Sequence, residues 1–353
     1  MDILVISLAG IGDTLFATPL IHELRLNFPD SRIDALVMYP GSRDVLEGNP
    51  FLNTIHQKNL IRVGTVEGLR YLAGLRRNKY DVSLNTHPQS RIHYRLAARV
   101  VGAAERISHK YHHASFFDRL LVNRSLPQDY QRHAVENNLA LLQFLNVKPK
   151  LPRHEYELYL TAAENAWADD YLRSNQLAGR TLVGMHVGSG GTKNLALRRW
   201  PLKYYIELIQ TLKRKRPDWK VLLFGGPEEE QAHKEIAEQL DTRTFLQPKS
   251  SDLRQAAALV AKCERFLSVD TVFMHIAAAM KVPRQFVIET PTWNKPIEPY
   301  RDSFVLIPNP AIAGKHLDYY RYDGGDIRGT AQEITKCMES VSVDAVAKAI
   351  TSA

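Results

Sequence analysis

Cysteine is scarce in this sequence, where only Cys263 and Cys337 occur among 353 residues. Two cysteines cannot build a disulfide framework, and a reducing compartment fits them better than an oxidising one. No apolar run reaches the ~18 residues of a transmembrane helix. The N-terminus starts directly as a strand, without the basic region or cleavage site of a signal peptide. We therefore expect a cytoplasmic protein.

Several signatures of catalytic, metal or nucleic-acid chemistry are also absent. No Asp-x-Asp occurs, so a carboxylate-bridged metal for a diphosphate is not encoded in that form. No Cys-x-x-Cys or His-Glu-x-x-His pattern suggests zinc, and there is no Walker A loop. The stretch 187–191 lacks the spacing of a nucleophile elbow. The chain has no basic stripe interleaved with aromatic residues, which argues against a nucleic acid as partner.

The net charge of +8 is unevenly distributed along the chain. Residues 1–150 contain 19 Lys and Arg against 13 Asp and Glu, and so carry six of the eight excess positive charges. Such a bias favours an anionic partner, such as a phosphorylated lipid or a membrane surface. A basic surface that is merely solvated explains the same numbers.

Short apolar runs alternate with amphipathic segments in both halves of the chain. The first series begins at Ile3–Leu8, and a second begins at Thr181 after the proline-rich stretch 148–152. This alternation predicts parallel sheets covered by helices on both faces, and hence two α/β domains, at 1–160 and 175–335. Because ligands bind beyond the carboxyl ends of strands in open α/β sheets, the loops that follow strands are the candidate sites.

The first of these loops contains Gly10-Ile11-Gly12-Asp13. Its glycines permit a tight turn and leave room for a ligand at the N-terminus of the following helix. The third glycine of a dinucleotide-binding fingerprint is missing, which argues against a nicotinamide cofactor. Asp13 has two interpretations, since a carboxylate here either caps the helix or serves as a general base.

A loop in the second half has the composition of a diphosphate site. Small residues such as Gly188 and Ser189 let backbone N–H groups approach a ligand closely. The cations that follow, Lys193, Arg198 and Arg199, would neutralise its charge. A flexible loop without a ligand is the alternative interpretation.

Two further loops combine acidic and hydroxyl side chains. Glu229 or Glu230 is suited to hold ribose hydroxyls, although either one also stabilises a helix N-terminus through the helix dipole. Asp270 and Thr271 follow a strand and open a helix, a position typical of contacts with phosphate and hydroxyl groups. His275 lies on that helix, where a packed core histidine is the competing interpretation.

In combination these motifs resemble glycosyltransferase family 9, the heptosyltransferases of lipopolysaccharide core assembly. Each segment is short, but four motifs in the same order and with similar spacing are specific, and the resemblance runs almost end to end. The four motifs are Gly10–Asp13 with Thr18–Leu20, His186–Gly188 through Arg199–Pro201, Phe224–Pro227 with Glu229, and Asp270–Thr271 with Met274–Ala279. Ser342–Val346 also resembles the usual tail of the family.

The resemblance implies a GT-B fold, with two Rossmann-like domains facing each other across a cleft and the final helix (340–353) packed back on the first domain. It implies an inverting glycosyltransferase without a catalytic metal or other cofactor. The donor would be a nucleotide sugar of the ADP-heptose type, and the acceptor an anionic glycolipid such as the lipopolysaccharide core. The first domain would bind the acceptor, at the inner face of the cytoplasmic membrane, and the second domain the donor.

The resemblance also assigns roles to individual residues. Asp13 would be the general base that deprotonates the acceptor hydroxyl. For the acceptor, the spacing of Arg91, Arg95 and Arg99 predicts one basic helical face, with a merely solvated face as the alternative. The acceptor-binding residues would be Gly10, Gly12, Arg91, Arg95 and Lys110. The donor-binding residues would be Gly188, Ser189, Lys193, Arg198, Arg199, Glu229, Glu230, Asp270, Thr271 and His275.

Two departures from the family pattern concern the donor. Val272 stands where most members have glycine, and its side chain would crowd a phosphate. The segment Ile288–Trp293 replaces a Phe-Gly-Pro-Thr motif and introduces Glu289, which leaves the nucleotide and the sugar open. A nucleotide-sugar-binding protein without catalysis, or a member that uses another donor, is therefore the alternative.

Overall fold

The chain folds into two compact units, each built on its own β-sheet. The first unit ends at Tyr159 and the second begins at Leu160. Both sheets have six strands, and every strand pairing in them is parallel. The α/β class predicted from the alternating pattern is therefore confirmed. The structure, a computed structural model, describes residues 1–111, 117–190, 195–241, 243–312 and 330–352.

The first sheet has the strand order β3-β2-β1-β4-β5-β6. Its central strand β1 is buried on both faces, with Ile3, Leu4, Val5 and Ile6 fully inaccessible to solvent, as expected for a parallel strand covered by helices. The elements of this unit are β1 (Asp2–Ser7), α1 (Ile11–Leu15), α2 (Thr18–Asn27), β2 (Arg32–Val37), α3 (Pro40–Leu46), β3 (Thr54–Gln57), α4 (Thr65–Gly74), β4 (Val82–Asn85), α5 (Ile92–Val101), β5 (Glu105–Lys110), α6 (Asp118–Leu121), β6 (Arg124–Pro127) and α7 (Ala134–Leu139).

The second sheet repeats this arrangement with the order β12-β11-β10-β7-β8-β9. Short 3-10 helices at Leu195–Arg198 and Pro227–Glu229 follow its first two strands. Its elements are α8 (Ala162–Ser174), β7 (Leu182–His186), α9 (Leu202–Lys215), β8 (Lys220–Phe224), α10 (Glu230–Gln239), β9 (Phe245–Leu246), α11 (Leu253–Val260), β10 (Arg265–Ser268), α12 (Val272–Ala279), β11 (Arg284–Ile288), β12 (Val305–Ile307), α13 (Ala331–Glu339) and α14 (Val343–Ser352).

The strand order creates one topological switch point in each sheet. In the first sheet the chain turns in opposite directions from the neighbours β1 and β4, and in the second from β7 and β10. Loops that leave such a pair of strands diverge and open a crevice at the carboxyl edge. The loops after β1 and β4, and those after β7 and β10, are therefore the places where each unit is able to hold a ligand.

The last helix does not pack where the resemblance placed it. Residues Val343, Val346, Ala347 and Ile350 of α14 form an apolar stripe at helical spacing, and this stripe joins the core of the second unit. There α14 packs against α9, and the backbone carbonyl of Ile350 accepts a hydrogen bond from Arg265 of β10 (3.2 Å). The expected docking of 340–353 on the first domain is therefore wrong, because the complementary apolar surface lies in the second unit.

Candidate active site

Asp13 closes the turn between β1 and the short helix α1. Its Oδ2 accepts a hydrogen bond from the backbone N–H of Gly10 (2.7 Å), the residue that precedes the helix. A Cβ on Gly10 would lie 2.9 Å from this oxygen, so glycine allows the carboxylate to fold over the backbone. Asp13 and Gly12 are both only half-buried. The capping interpretation is thus seen directly, and it fixes the carboxylate in one orientation.

Three tyrosine side chains interact electrostatically with Asp13, of which Tyr39 follows β2, Tyr94 lies on α5 and Tyr111 follows β5. Burial raises the pKa of Tyr39, and the negative charge of Asp13 raises it further while Arg91 opposes the shift. Burial, Tyr39 and Asp13 together raise the pKa of Tyr94 to about 12. Asp13 also contributes to the raised pKa of the fully buried Tyr111, behind burial itself. The carboxylate therefore sits among neutral phenols, with Arg91 as a nearby cation.

The loop after β4 carries polar residues that no sequence motif indicated. His87, which precedes a cis proline, is fully buried, and its backbone N–H donates to Asn138 Oδ1 (2.7 Å). The Gln89 carboxamide accepts a hydrogen bond from the Leu8 N–H (3.3 Å) and donates to the Thr86 carbonyl (2.9 Å). These bonds join the loops after β1 and β4 at the switch point. The one signal of this arrangement in the sequence is that both loops follow predicted strands.

The three arginines expected on one basic face are separated in the structure. Arg91 precedes α5 and is exposed, as is Arg99 near its end. Arg95 is buried, with an ion pair to Asp118 and hydrogen bonds to the carbonyls of Gln89 (3.3 Å) and Ser90 (3.0 Å). The prediction of a common face is therefore wrong for Arg95, which instead fixes the loop after β4 and helix α6.

Lys110 ends β5 at the same carboxyl edge of the sheet and is exposed. Together with Arg91 it supplies positive charge near the loops that surround Asp13. The geometry of the first unit thus brings one half-buried carboxylate and two exposed cations to the carboxyl edge of one sheet.

The second unit places a buried ion pair at its switch point. Arg198 Nη1 lies 2.6 Å from Asp270 Oδ2 and donates to Thr292 Oγ1 (3.0 Å), and the exposed fraction of Arg198 is 6%. Burial raises the pKa of Asp270, and the charge of Arg198 opposes that shift. The charge of Arg198 is thus balanced by Asp270, which follows the neighbouring strand β10.

Hydroxyl groups beside this pair have unused hydrogen-bonding capacity. Thr271 occupies the N-cap position of α12 without a capping hydrogen bond, and its buried Oγ1 has no hydrogen-bond partner among the residues that the structure describes. The same holds for Ser268 Oγ on the preceding strand. Since buried polar groups are nearly always satisfied, these atoms and the first N–H groups of α12 are suited to contact a polar ligand.

The two departures from the family pattern have structural explanations. Val272 is the first residue of α12 and is half-buried, and its φ is not positive, so a β-branched side chain is accommodated without backbone strain. Glu289 is buried, and its carboxylate accepts a hydrogen bond from the Asn309 N–H (2.8 Å), which anchors the segment after β12. Glu289 therefore serves the fold in this segment.

A second charged cluster forms around Glu229, in the loop after β8. Its Oε2 accepts the Gly226 N–H (2.9 Å) and lies 3.8 Å from His186 Nε2, and its Oε1 lies 3.5 Å from Arg199. Burial favours the neutral acid, but the neighbouring His186, the Gly226 bond and the charge of Arg199 outweigh burial and lower the pKa of Glu229. The carboxylate is therefore held ionised.

The small-residue loop after β7 lies against this cluster. A Cβ on Gly188 would lie 2.5 Å from Glu229 Cδ, so only glycine fits beside the carboxylate. Arg199 donates to the Ser189 carbonyl (2.8 Å), and the Ser189 hydroxyl donates to the Leu195 carbonyl (2.6 Å). Lys193 lies outside the described residues. Gly188 and Arg199 thus bring the loop after β7 together with the Glu229 motif that follows β8.

The other two predicted donor residues differ in accessibility. Glu230 is exposed at the first position of α10, where a carboxylate stabilises the helix N-terminus. His275 is buried on α12, as the competing core interpretation expected. In the described ranges, no group of three or more His, Cys, Asp or Glu side chains has the geometry to hold a metal ion. No helix in that part of the chain is long and apolar enough to cross a membrane.

The sequence profile described as glycosyltransferase family 9 (heptosyltransferase) matches residues 69–317, well over half of the chain. The protein belongs to this family and is a glycosyltransferase. It is 26% identical, over 77% of its length and 78% of the relative, to lipopolysaccharide heptosyltransferase 3 of Escherichia coli K12. It is 27% identical to lipooligosaccharide heptosyltransferase 2 of Haemophilus influenzae, over 80% of this chain and 82% of that one.

Solved structures share the fold across the whole chain. A glycosyltransferase family 9 protein from Veillonella parvula aligns with a TM-score of 0.77 at 20% identity, covering 99% of this chain and 96% of that one. The ADP-heptose lipopolysaccharide heptosyltransferase II of Escherichia coli aligns with a TM-score of 0.74 at 20% identity, covering 100% and 98%. The GT-B fold expected from the family resemblance is therefore confirmed.

Proposed function

We propose that this glycosyltransferase moves a heptose from an ADP-linked donor to a lipopolysaccharide core or similar glycolipid, with inversion at the anomeric carbon. The observation that carries the proposal is the match between motif and topology. The family motifs that follow strands β1, β7, β8 and β10 lie at a switch point or at the adjacent strand end, where a parallel sheet binds ligands.

The donor half of the proposal rests on the charges of the second unit. A leaving diphosphate needs cations and N–H donors in a site protected from water. Arg198, Arg199 and Lys193 would supply the cations, and the N-terminus of α12 with Thr271 would supply hydrogen bonds. Glu229, ionised and beside Gly188, is suited to accept hydrogen bonds from ribose hydroxyls. Asp270 holds Arg198 in place (2.6 Å).

The catalytic half rests on Asp13. The acceptor hydroxyl would attack the anomeric carbon from the face opposite the nucleotide while its proton passes to the Asp13 carboxylate. The bond from the anomeric carbon to the diphosphate oxygen breaks, and its electron pair leaves with the nucleotide. The charge that develops on the diphosphate is then balanced by arginine and lysine. These steps need no metal ion and no other cofactor.

The acceptor half rests on the basic first unit. Arg91 and Lys110 are exposed at the carboxyl edge that contains Asp13, and Gly10 and Gly12 are half-buried in the turn that holds it. An anionic glycolipid would bring phosphate groups to these cations. Arg95 would act indirectly, through the position of the Gln89 and Ser90 carbonyls (3.3 and 3.0 Å). Because such an acceptor is embedded in a membrane, the enzyme would work on the cytoplasmic face of one.

The decisive experiment measures donor binding and sugar transfer separately. Purified protein would be screened for thermal stabilisation by ADP-, GDP- and UDP-linked sugars, since a ligand that binds only the folded state raises its stability. Transfer from the stabilising donor to a lipopolysaccharide core acceptor would then be followed, with the anomeric configuration of the product read by NMR. Stabilisation by an ADP-sugar and an inverted product support the proposal. A retained configuration, or stabilisation without transfer to any acceptor, would contradict it.

A further inference from the structure

We propose that the outer face of helices α4, α5 and α6 docks on a membrane surface that contains anionic phospholipid. This α4–α6 face comprises the exposed residues of the three helices together with Ile61 and Phe117 in the turns that precede α4 and α6. The three helices form one layer, because α4 packs against α5 and α5 against α6. The inference concerns a surface and does not depend on the identity of the transferred sugar.

Exposed apolar side chains are concentrated on this face. Nine large hydrophobic side chains are exposed in the described part of the chain, and seven of them belong to the α4–α6 face. Single exposed hydrophobic residues are ordinary on a soluble protein, but a cluster that carries most of them marks an interaction surface. The seven, with their exposed fractions, are Ile61 (70%), Val66 (71%), Leu69 (38%), Ile92 (50%), Leu96 (41%), Phe117 (65%) and Leu120 (60%).

The charge on the same face has one sign. Exposed arginines accompany the apolar side chains on all three helices, whereas the carboxylates there are already neutralised by partners. Glu67 lies 2.6 Å from Lys58, and Asp118 is paired with the buried Arg95. Burial lowers the pKa of Arg106 and the nearby Arg99 lowers it further, as expected where cations are crowded. The exposed arginines of the three helices are Arg70, Arg99 and Arg119, and the exposed Arg62 and Arg91 lie just before α4 and α5.

Apolar side chains rimmed by arginine fit the interface of an anionic bilayer better than they fit a folded partner. Leucine, isoleucine and phenylalanine insert at the boundary between headgroups and acyl chains, while arginines reach the lipid phosphates with their long stems. Each basic residue near such a surface strengthens partitioning by roughly fivefold. The second unit offers no comparable face, since among its described residues only Val305, on an edge strand, is a large exposed hydrophobic.

The test is co-sedimentation of the full chain with vesicles. Wild type is expected to bind vesicles of phosphatidylglycerol and phosphatidylethanolamine, to bind pure phosphatidylcholine far less, and to lose most binding in 1 M salt, where the Debye length falls to about 3 Å. Leu96→Ser/Leu120→Ser is expected to lower partitioning about tenfold or more. Arg99→Glu/Arg119→Glu is expected to abolish the preference for anionic lipid. Val305→Ser is the matched control and should bind as wild type does.

Three outcomes would overturn the proposal. Wild type that stays in the supernatant with anionic vesicles would do so, as would equal losses for Val305→Ser and the leucine pair. The third is a wild-type dimer in solution that the leucine pair converts to a monomer without any vesicle binding, since the face would then bind a second copy. Circular dichroism would verify the fold of each variant. Donor-induced stabilisation, measured on the same samples, tests the proposed function independently of membrane docking.

Discussion

The carboxyl edges of the two sheets share one strand order but differ in chemistry. At the first edge the buried side chains at the end of β4 and in the loop after it are neutral, namely Asn85, Thr86, His87 and Gln89, whereas the buried pair of Arg95 and Asp118 lies on helices α5 and α6. Asp13 is only half-buried. At the second edge the loops contain charged side chains in pairs, namely the buried Arg198 with Asp270 and the partly exposed Arg199 with the buried Glu229.

This difference matches two different tasks. A half-buried carboxylate beside neutral side chains, with exposed cations nearby, is suited to accept a proton from an acceptor hydroxyl. Preformed arginine–carboxylate pairs instead hold cations in fixed positions, where the arginines are able to donate hydrogen bonds to a phosphate. The strand order alone therefore does not determine the function of an edge, and the loop residues do.

The largest expected effect follows Asp13→Asn. The amide oxygen can still accept the Gly10 N–H, so the turn is preserved, but the side chain can no longer take a proton at neutral pH. We expect turnover to fall by about 10²- to 10⁴-fold, the usual contribution of a general base. Stabilisation by the donor, which depends on the other edge, should be unchanged. Steady-state transfer assays and thermal shifts measure both, and turnover within threefold of wild type would exclude Asp13 as the base.

The converse change is Arg198→Met at the second edge. It leaves Asp270 buried without its partner, and the loss of one member of a buried pair costs about 3–5 kcal/mol in the free energy of unfolding. Arg198→Met/Asp270→Asn should recover part of that loss, but not the stabilisation by donor. Arg199→Met is the control, because its ion pair is longer (3.5 Å) and its side chain is 29% exposed. Chemical denaturation of Arg198→Met, Asp270→Asn and the double variant would measure this recovery. The prediction would be contradicted if the two single losses in the free energy of unfolding simply added in the double variant.

Much of the fold and several site residues were predictable because they depend on local pattern. Apolar runs with helical segments between them predict parallel strands, and glycines and charges after strands predict binding loops. Partners distant in sequence were not predictable. Nothing local indicates that Arg198 meets Asp270, 72 residues away, or that a carboxylate on α6 captures Arg95. Likewise, the apolar stripe of α14 shows that one face is buried but does not show which unit covers it.

A pH titration tests the neutral character of the first edge. Burial lowers the pKa of His109 to about 4 and that of His87 well below its usual value, in the latter case helped by the neighbouring His109 and His133. Since these pKa values are lower in the fold than in the unfolded chain, their stabilising contribution is complete above about pH 6.5. It declines as the pH falls, and for His109 about 3 kcal/mol is lost between pH 6.5 and 4.

Two probes would locate that loss. All four tryptophans (Trp167, Trp200, Trp219 and Trp293) belong to the second unit, so their fluorescence reports on that unit alone. We expect acid to reduce the far-ultraviolet circular dichroism before the tryptophan emission changes. His109→Asn should flatten the dependence of stability on pH, whereas His93→Asn, at an exposed position of α5, should leave the slope unaltered. Equal slopes in all three proteins would show that the buried histidine does not govern the acid response.

The smallest effect is expected at Gly188, where the loop after β7 touches the Glu229 cluster. A methyl group there would lie 2.5 Å from Glu229 Cδ and 2.7 Å from Cγ, and Glu229 is itself held by the Gly226 N–H. Gly188→Ala should therefore displace the carboxylate, cost about 1–3 kcal/mol as overpacking does, and raise KM for the donor more than it lowers kcat.

Gly190→Ala is the matched control two residues further along the same loop. Its added methyl group would lie 3.4 Å from Leu195 Cδ1, a distance that the flexible leucine tolerates, so KM and stability should stay close to wild type. If both alanine variants bound the donor as wild type does, Glu229 would not contact it. The paired charges of the second edge would then act through Arg198 and Asp270 alone.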